Sequence, residues 1–252
     1  MNIKKKPIFK PFIIFSSLLF SVIALTSFIS FGKKDNETAI KILPASSVSA
    51  EEIESSMINS LFEEIGLDDK GLNFKAFEMA FKGLKKLGSK DNQLESDLIT
   101  IIDFSQPSTQ KRLYVIDINS KEVLYQTYVA HGKNSGAKMA TRFSNKISSY
   151  QSSLGFYKTA NTYNGKHGYS LRLEGLEPGI NSNALSRAIV MHSADYVSEK
   201  TISSLGYLGR SLGCPAIPKE LNKPIINLIK GGTLMFIYHP AESYLKQSQL
   251  AG

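Results

Sequence analysis

The chain holds one cysteine, Cys214, inside Gly209-Arg-Ser-Leu-Gly-Cys-Pro-Ala-Ile-Pro218. One cysteine cannot form an internal disulfide, so it is either a small buried hydrophobe or a reactive thiol. Its surroundings weaken the first reading. Small neighbours let a backbone approach closely and aim N–H groups at an oxyanion. A nucleophilic thiol needs a base, and the chain offers four histidines. His192 follows Ala188-Ile-Val-Met191 and so falls at the end of a buried strand, where a rigid sheet can hold a catalytic group. The plainer reading of any one such histidine is a core residue with a satisfied hydrogen bond. His131 and His167 each precede a glycine in a turn, and either cap it or line a groove. His239, before Pro240, reads as structural. No H-E-x-x-H or similar spacing occurs, and these scattered residues make no zinc or iron–sulfur site.

Elements must bring such residues together. Ser49 with Glu52 three residues on is a capping-box pattern, and Ile53, Met57, Leu61 and Ile65 mark one face of a helix ending at Gly66. A second helix starts at Asn73, with Phe74, Phe77, Phe81 and Leu84 on one face and Gly88 at its end. Two helices this small cannot stand alone and must pack on the remainder of the chain. The texture then turns to short β-branched runs. Leu98–Phe104 is one, and 112–118 with 123–129 form a hairpin about Asn119-Ser-Lys-Glu122. Further runs lie at Tyr169–Leu173, Ala188–Met191 and Thr233–Tyr238, with turns at 131–136, Asn164-Gly165 and Glu177-Pro-Gly179. One more helix fits Lys223–Lys230. The pattern is mainly β with appended helices, an α+β arrangement built on a β-sandwich or barrel-like sheet.

Val190-Met-His-Ser-Ala194 followed by Ser211-Leu-Gly-Cys214 resembles the murein L,D-transpeptidase catalytic domain family, the YkuD-like family. Tyr128-Val-Ala-His-Gly-Lys-Asn-Ser-Gly136, Phe143-Ser-Asn145, Ser152-Ser-Leu-Gly-Phe156, Gly165-Lys-His-Gly168 and Gly231-Gly-Thr-Leu agree with it, so the likeness covers roughly residues 95–240. The resemblance implies a YkuD-like β-sandwich with a small N-terminal helical segment. It implies Cys214 as nucleophile, His192 as base, and Ser193 as the residue whose carbonyl orients the histidine. Gly213 and Cys214 then offer oxyanion N–H groups, and an imidazolium beside the thiol would lower its pKa. Arg210 would bind a stem carboxylate or serve a surface salt bridge. Ser211 would donate to the acyl site or cap the turn, and His167 and His131 would line the substrate groove. No metal or organic cofactor is required. The sequence departs from the family's common Ser-His-Gly-Cys at Leu212, and Pro215-Ala216 stand where an aliphatic and then a polar residue are usual. An apolar Leu212 beside the nucleophile would keep water from a thioester and favour an amine acceptor.

The activity so implied is transfer of a peptidoglycan stem peptide through a thioester, releasing D-Ala and forming a crosslink. A carboxypeptidase that trims the same stem, and a non-catalytic wall-binding domain, are the alternatives. A sortase-like enzyme would want an arginine soon after the cysteine, and 215–219 hold none.

The 252 residues fit one or two domains, and 42% hydrophobic with 21% charged residues excludes a disordered or fibrous chain. Four lysines before residue 33 supply half of the net +8, and no basic cluster interleaves with aromatics, so nucleic acid is not an expected partner. Those lysines precede an uncharged run over 12–31, which Lys33 and Lys34 close. The layout fits a secretory signal cut after Gly32 and equally a retained membrane anchor, and either exports the rest to the periplasm or cell envelope. The expected organisation is a leader or anchor over 1–32, a linker over 33–48, a helical segment over 49–92 and a catalytic domain over 93–252. Nothing in the sequence sets an oligomeric state.

Overall fold

The computed structural model describes residues 49–88, 94 and 97–251, so the expected leader and linker lie outside the described residues. Helix α1 (Ala50–Glu64) opens on the reciprocal cap that the sequence announces. The Glu52 N–H donates to Ser49 Oγ at 3.2 Å, and the Ser49 N–H donates to Glu52 Oε2 at 2.8 Å. Its buried face is shifted from the expected one. Ile65 enters the core and Leu61 packs against it as expected, but Ile58 and Phe62 are buried beside them, whereas Ile53 (51% exposed) and Met57 (66% exposed) face outward. Phe62 meets Phe74 edge-on, at 5.3 Å between ring centroids, and Phe77 at 5.6 Å. Both belong to α2 (Phe74–Gly88), which buries Phe77 and Leu84 as its spacing requires.

Eight strands come next, in the order β3-β2-β1-β8-β4-β5-β6-β7. The first three, β1 (Leu98–Asp103), β2 (Leu113–Asp117) and β3 (Glu122–Thr127), form an antiparallel meander that includes the expected hairpin. β8 (Leu234–Tyr238) runs parallel to β1 and antiparallel to β4 (Gly155–Gly165), at the centre of the sheet. Phe156 of β4 stacks on Phe236 of β8 at 4.2 Å, and its ring fills the space where a side chain on Gly83 of α2 would stand. The helical pair and the sheet therefore share one core. β4 turns into β5 (Gly168–Gly175) at Lys166-His167, two residues beyond the expected Asn164-Gly165 turn, because Gly165 pairs with Gly168. That shift puts His167 at the hairpin tip.

β5 pairs antiparallel with β6 (Val190–Ser193), and β6 pairs parallel with the two-residue β7 (Ala216–Ile217). Helix α3 (Glu199–Leu205) connects them. α4 (Lys219–Ile229) begins four residues before the expected Lys223 and carries Pro224 inside. A short α5 (Glu242–Gln247) closes the chain. The whole is mainly β with appended helices, as the sequence implies. Among the described residues no helix is long and apolar enough to cross a membrane.

Candidate active site

β6 ends on His192. Its main chain is fixed on both sides, by Met191 paired with Leu171 and by His192 paired with Ala216. The ring is turned by its own strand: Nδ1 lies 2.8 Å from the Ser193 carbonyl oxygen. A carbonyl only accepts, so Nδ1 carries the hydrogen and Nε2 is left with its lone pair. Nε2 has no hydrogen-bond partner among the described residues. Burial, reinforced by the neighbouring His167, holds the His192 pKa below its ordinary 6.5 against the raising effect of Ser193. The ring is therefore neutral and basic at Nε2 at neutral pH.

Cys214 reaches the same strand from the loop before β7. The Val190 N–H donates to Sγ at 3.5 Å, and the thiol points at the Ala188 carbonyl oxygen at 3.7 Å. The sulfur thus sits two residues upstream of His192 along β6. No hydrogen bond joins it to the imidazole among the described residues. Burial pushes the thiol pKa up, and the Val190 N–H and the Arg187 charge oppose that rise. This corrects the expected imidazolium effect. At rest the two groups are a neutral thiol and a neutral imidazole.

Serines hold the Cys214 loop in shape. Ser211 Oγ donates to the Cys214 carbonyl at 2.6 Å and accepts the Gly213 N–H at 3.0 Å. Ser152 Oγ donates to the Gly213 carbonyl and accepts the Gly132 N–H, both at 3.1 Å. Gly213 takes φ +127°, and a Cβ there would stand 2.8 Å from the Gln151 carbonyl oxygen, so no larger residue fits. One expectation needs correction: the Gly213 N–H is spent on Ser211 and is not a free oxyanion donor in this arrangement. Of the two roles expected for Ser211, its hydroxyl takes the turn-closing one. The Cys214 N–H faces its own sulfur and takes no other acceptor among the described residues, so it is the donor that remains.

The other expected residues separate. His167 is exposed and stacks on His192, with ring centroids 4.5 Å apart and planes at 27°. Arg210 is exposed, reaches the Gly136 carbonyl at 3.2 Å, and pairs with no carboxylate among the described residues. An anion can approach it. His131 is only 1% exposed and does not line a groove. Its Nδ1 lies 2.9 Å from Nη2 of the fully buried Arg112, which can only donate, so His131 is neutral, with Nε2–H toward the Gly136 carbonyl at 3.3 Å. Its expected substrate role gives way to a structural one, because desolvation and a neighbouring cation exclude a charged ring. Leu212 is 58% exposed, which does not favour the expected role of keeping water from a thioester.

A family model described as L,D-transpeptidase catalytic domain matches residues 68–238. The chain belongs to this family. Among solved structures it is similar to L,D-transpeptidases from Mycobacterium smegmatis (13% identity, TM-score 0.36, 57% of this chain and 59% of that one) and to L,D-transpeptidase 3 from Mycobacterium tuberculosis (12%, 0.36, 57% and 61%). The helical cell shape determining protein Pgp2 of Campylobacter jejuni is also similar (14%, 0.39, 70% and 60%). The similarity spans about three fifths of each of those chains. No curated protein matches. Within this family member, sequence reasoning passes over Ser152 and Arg187. Ser152 carries only a weak signal, a small polar residue in a glycine-containing block. Arg187, directly before the buried run 188–191, carries a stronger one.

Proposed function

We propose that this chain is a cysteine-dependent L,D-transpeptidase of peptidoglycan stem peptides. The observation that carries the reading is the Nδ1–H bond to the Ser193 carbonyl, which leaves Nε2 basic on the strand that also holds the Cys214 sulfur. Family membership supplies the reaction class. Nε2 takes the thiol proton as Sγ attacks the carbonyl carbon of the third stem residue, and the Cys214 N–H meets the oxyanion. Collapse breaks the amide bond, and the departing D-Ala amine takes the proton back from Nε2. A thioester remains. An amine of a second stem then attacks, giving its proton to Nε2, and the released thiolate is reprotonated from there. The exposed Arg210 guanidinium is suited to a stem carboxylate.

The exposure of Leu212 favours a second reading. A side chain more than half in solvent does not keep water from the thioester, so the same acyl-enzyme can be hydrolysed, giving an L,D-carboxypeptidase. The chain organisation we propose has a leader or anchor over 1–32, a linker over 33–48, a helical segment over 49–92 and a catalytic domain over 93–252. This places the enzyme in the periplasm or cell envelope.

Mass spectrometry of wall fragments incubated with the enzyme decides between these. Crosslinked dimers support transfer, and trimmed tripeptides alone favour the carboxypeptidase. Cys214→Ala should give neither product while keeping the fold. Wild-type product from that variant would defeat both readings.

A further inference from the structure

Arg187 stands one residue before Ala188, whose carbonyl receives the thiol. Its guanidinium is half-buried, and all four Nη hydrogens are committed. Nη1 donates to the Ser144 carbonyl (2.7 Å) and Ser153 Oγ (2.5 Å), and Nη2 to the Gln151 carbonyl (2.6 Å) and Ser149 Oγ (3.2 Å). Every one of these acceptors is neutral. No carboxylate among the described residues pairs with it. A partly desolvated charge without a counter-ion carries a cost that these neutral acceptors offset only in part.

The guanidinium adjoins the nucleophile loop, since the Cβ position on Gly213 lies 3.3 Å from Nη2. Two groups would favour its charge by becoming negative, Tyr157 and Cys214. Tyr157 is fully buried and its phenol is held protonated by that burial. That leaves the sulfur. The other titratable groups are Tyr196 after β6, which also feels the sulfur and is pushed up to about 12 by burial, and, two residues along β6 from the Val190 N–H, His192 with His167 stacked on it. None is an anion at neutral pH. Backbone strain gathers here too. Of the four non-glycine residues with positive φ among those described, Ala188 (52°) is next to Arg187, and Ser148 (58°) and Tyr150 (54°) lie in the loop its fork grips. Such strain persists where surroundings over-determine a geometry, and it collects at sites of function.

We propose that Arg187 is a positioning residue whose unpaired positive charge stabilises the Cys214 thiolate and clamps the 144–153 loop against it. The S–H bond breaks with its electron pair left on sulfur, the proton goes to His192 Nε2, and the guanidinium faces the new anion without moving. With its Nη hydrogens spent, Arg187 does not bind a substrate carboxylate, which separates its task from that of Arg210. The inference rests on the cysteine chemistry proposed above, yet its test needs no turnover.

The test is the pH dependence of Cys214 alkylation by iodoacetamide, followed by intact mass. Arg187→Gln keeps donors and removes the charge, so its midpoint should rise by about one pH unit, a roughly tenfold loss of thiolate on the acid side. Arg187→Lys keeps the charge and loses the fork, so its midpoint should stay within about half a unit of wild type. An unchanged midpoint in Arg187→Gln overturns the proposal. Should that variant fail to fold, nitrogen NMR of the wild-type guanidinium decides. Its resonances should move with the thiol titration and stop moving in Cys214→Ala, and their failure to follow the thiol in wild type overturns the proposal. Loss of crosslinked product with these shifts intact would sink the transpeptidase reading and leave this one standing.

Discussion

At the scale of single residues, the site is a problem of proton placement. As the proposed base, His192 would serve only as the neutral ring, so activity should fall as pH drops through its pKa, which burial and His167 hold below 6.5. His167→Ala removes both a stacked cover and a like charge. The His192 pKa should then rise toward 6.5, and the acid limb of kcat/KM should move to higher pH while the neutral-pH rate stays within about tenfold. An acid limb that stays in place would show that the stack has no electrostatic weight. Cys214 and His192 are legible in the sequence as candidates because residue types and order mark them. Leu212 is misjudged there, because sequence shows that a side chain is apolar but not where it points. At 58% exposure it has little packing to lose, so Leu212→Ala should change stability by no more than about 0.5 kcal/mol. A larger loss in urea unfolding would mean that the rim is buried after all.

At the scale of elements, Cys214 is held by a loop, and the loop by hydrogen bonds that no periodicity announces. Ser152 is 1% exposed and bridges the Gly132 N–H to the Gly213 carbonyl. Ser152→Ala should strand both groups and cost about 1–3 kcal/mol of stability, with a matching slowing of Cys214 acylation. Acylation at the wild-type rate in a destabilised variant would detach the bridge from catalysis. The helices are readable because repeats of three and four are strong signals and the Ser49/Glu52 cap is local. The buried face of α1 is only partly so: Leu61 and Ile65 reach the core as expected, but contact with Phe74 and Phe77 turns Phe62 inward in place of Ile53 and Met57. β4 escapes notice because it is polar for a central strand. Thr159 is buried there with its hydroxyl satisfied by the Ile229 carbonyl at 2.6 Å, a partner 70 residues away. Alternation fails as a signal where distant backbone satisfies the polar positions.

At the scale of the molecule, the sheet carries a second buried cation away from the thiol. Arg112 on the approach to β2 donates to the Gln106 carbonyl (2.7 Å), the Val129 carbonyl (3.0 Å) and His131 Nδ1 (2.9 Å), and lies over the Phe104 ring at 4.7 Å. It ties the first hairpin to the segment 129–131, whose His131 carbonyl accepts the Ser211 N–H of the nucleophile loop. Sequence cannot show this, because composition counts His131 among possible ligands and only tertiary contact makes it an acceptor for a buried guanidinium. Desolvation first, and then the Arg112 charge, hold the His131 pKa down at about 4 against an ordinary 6.5. Between those values the unfolded chain binds a proton that the folded chain refuses, so stability falls as pH drops through that window and is unaffected by this group above it. The gap corresponds to a loss on the order of 3 kcal/mol by pH 4. His131→Asn offers Arg112 an acceptor that cannot titrate. Urea unfolding at pH 7, 5 and 4 should therefore show a shallower decline for the variant than for wild type, whatever the carboxylates add to both. Parallel declines would mean that the His131 ring takes its proton in the folded state without penalty, and that the buried pair does not govern the acid limit of the fold.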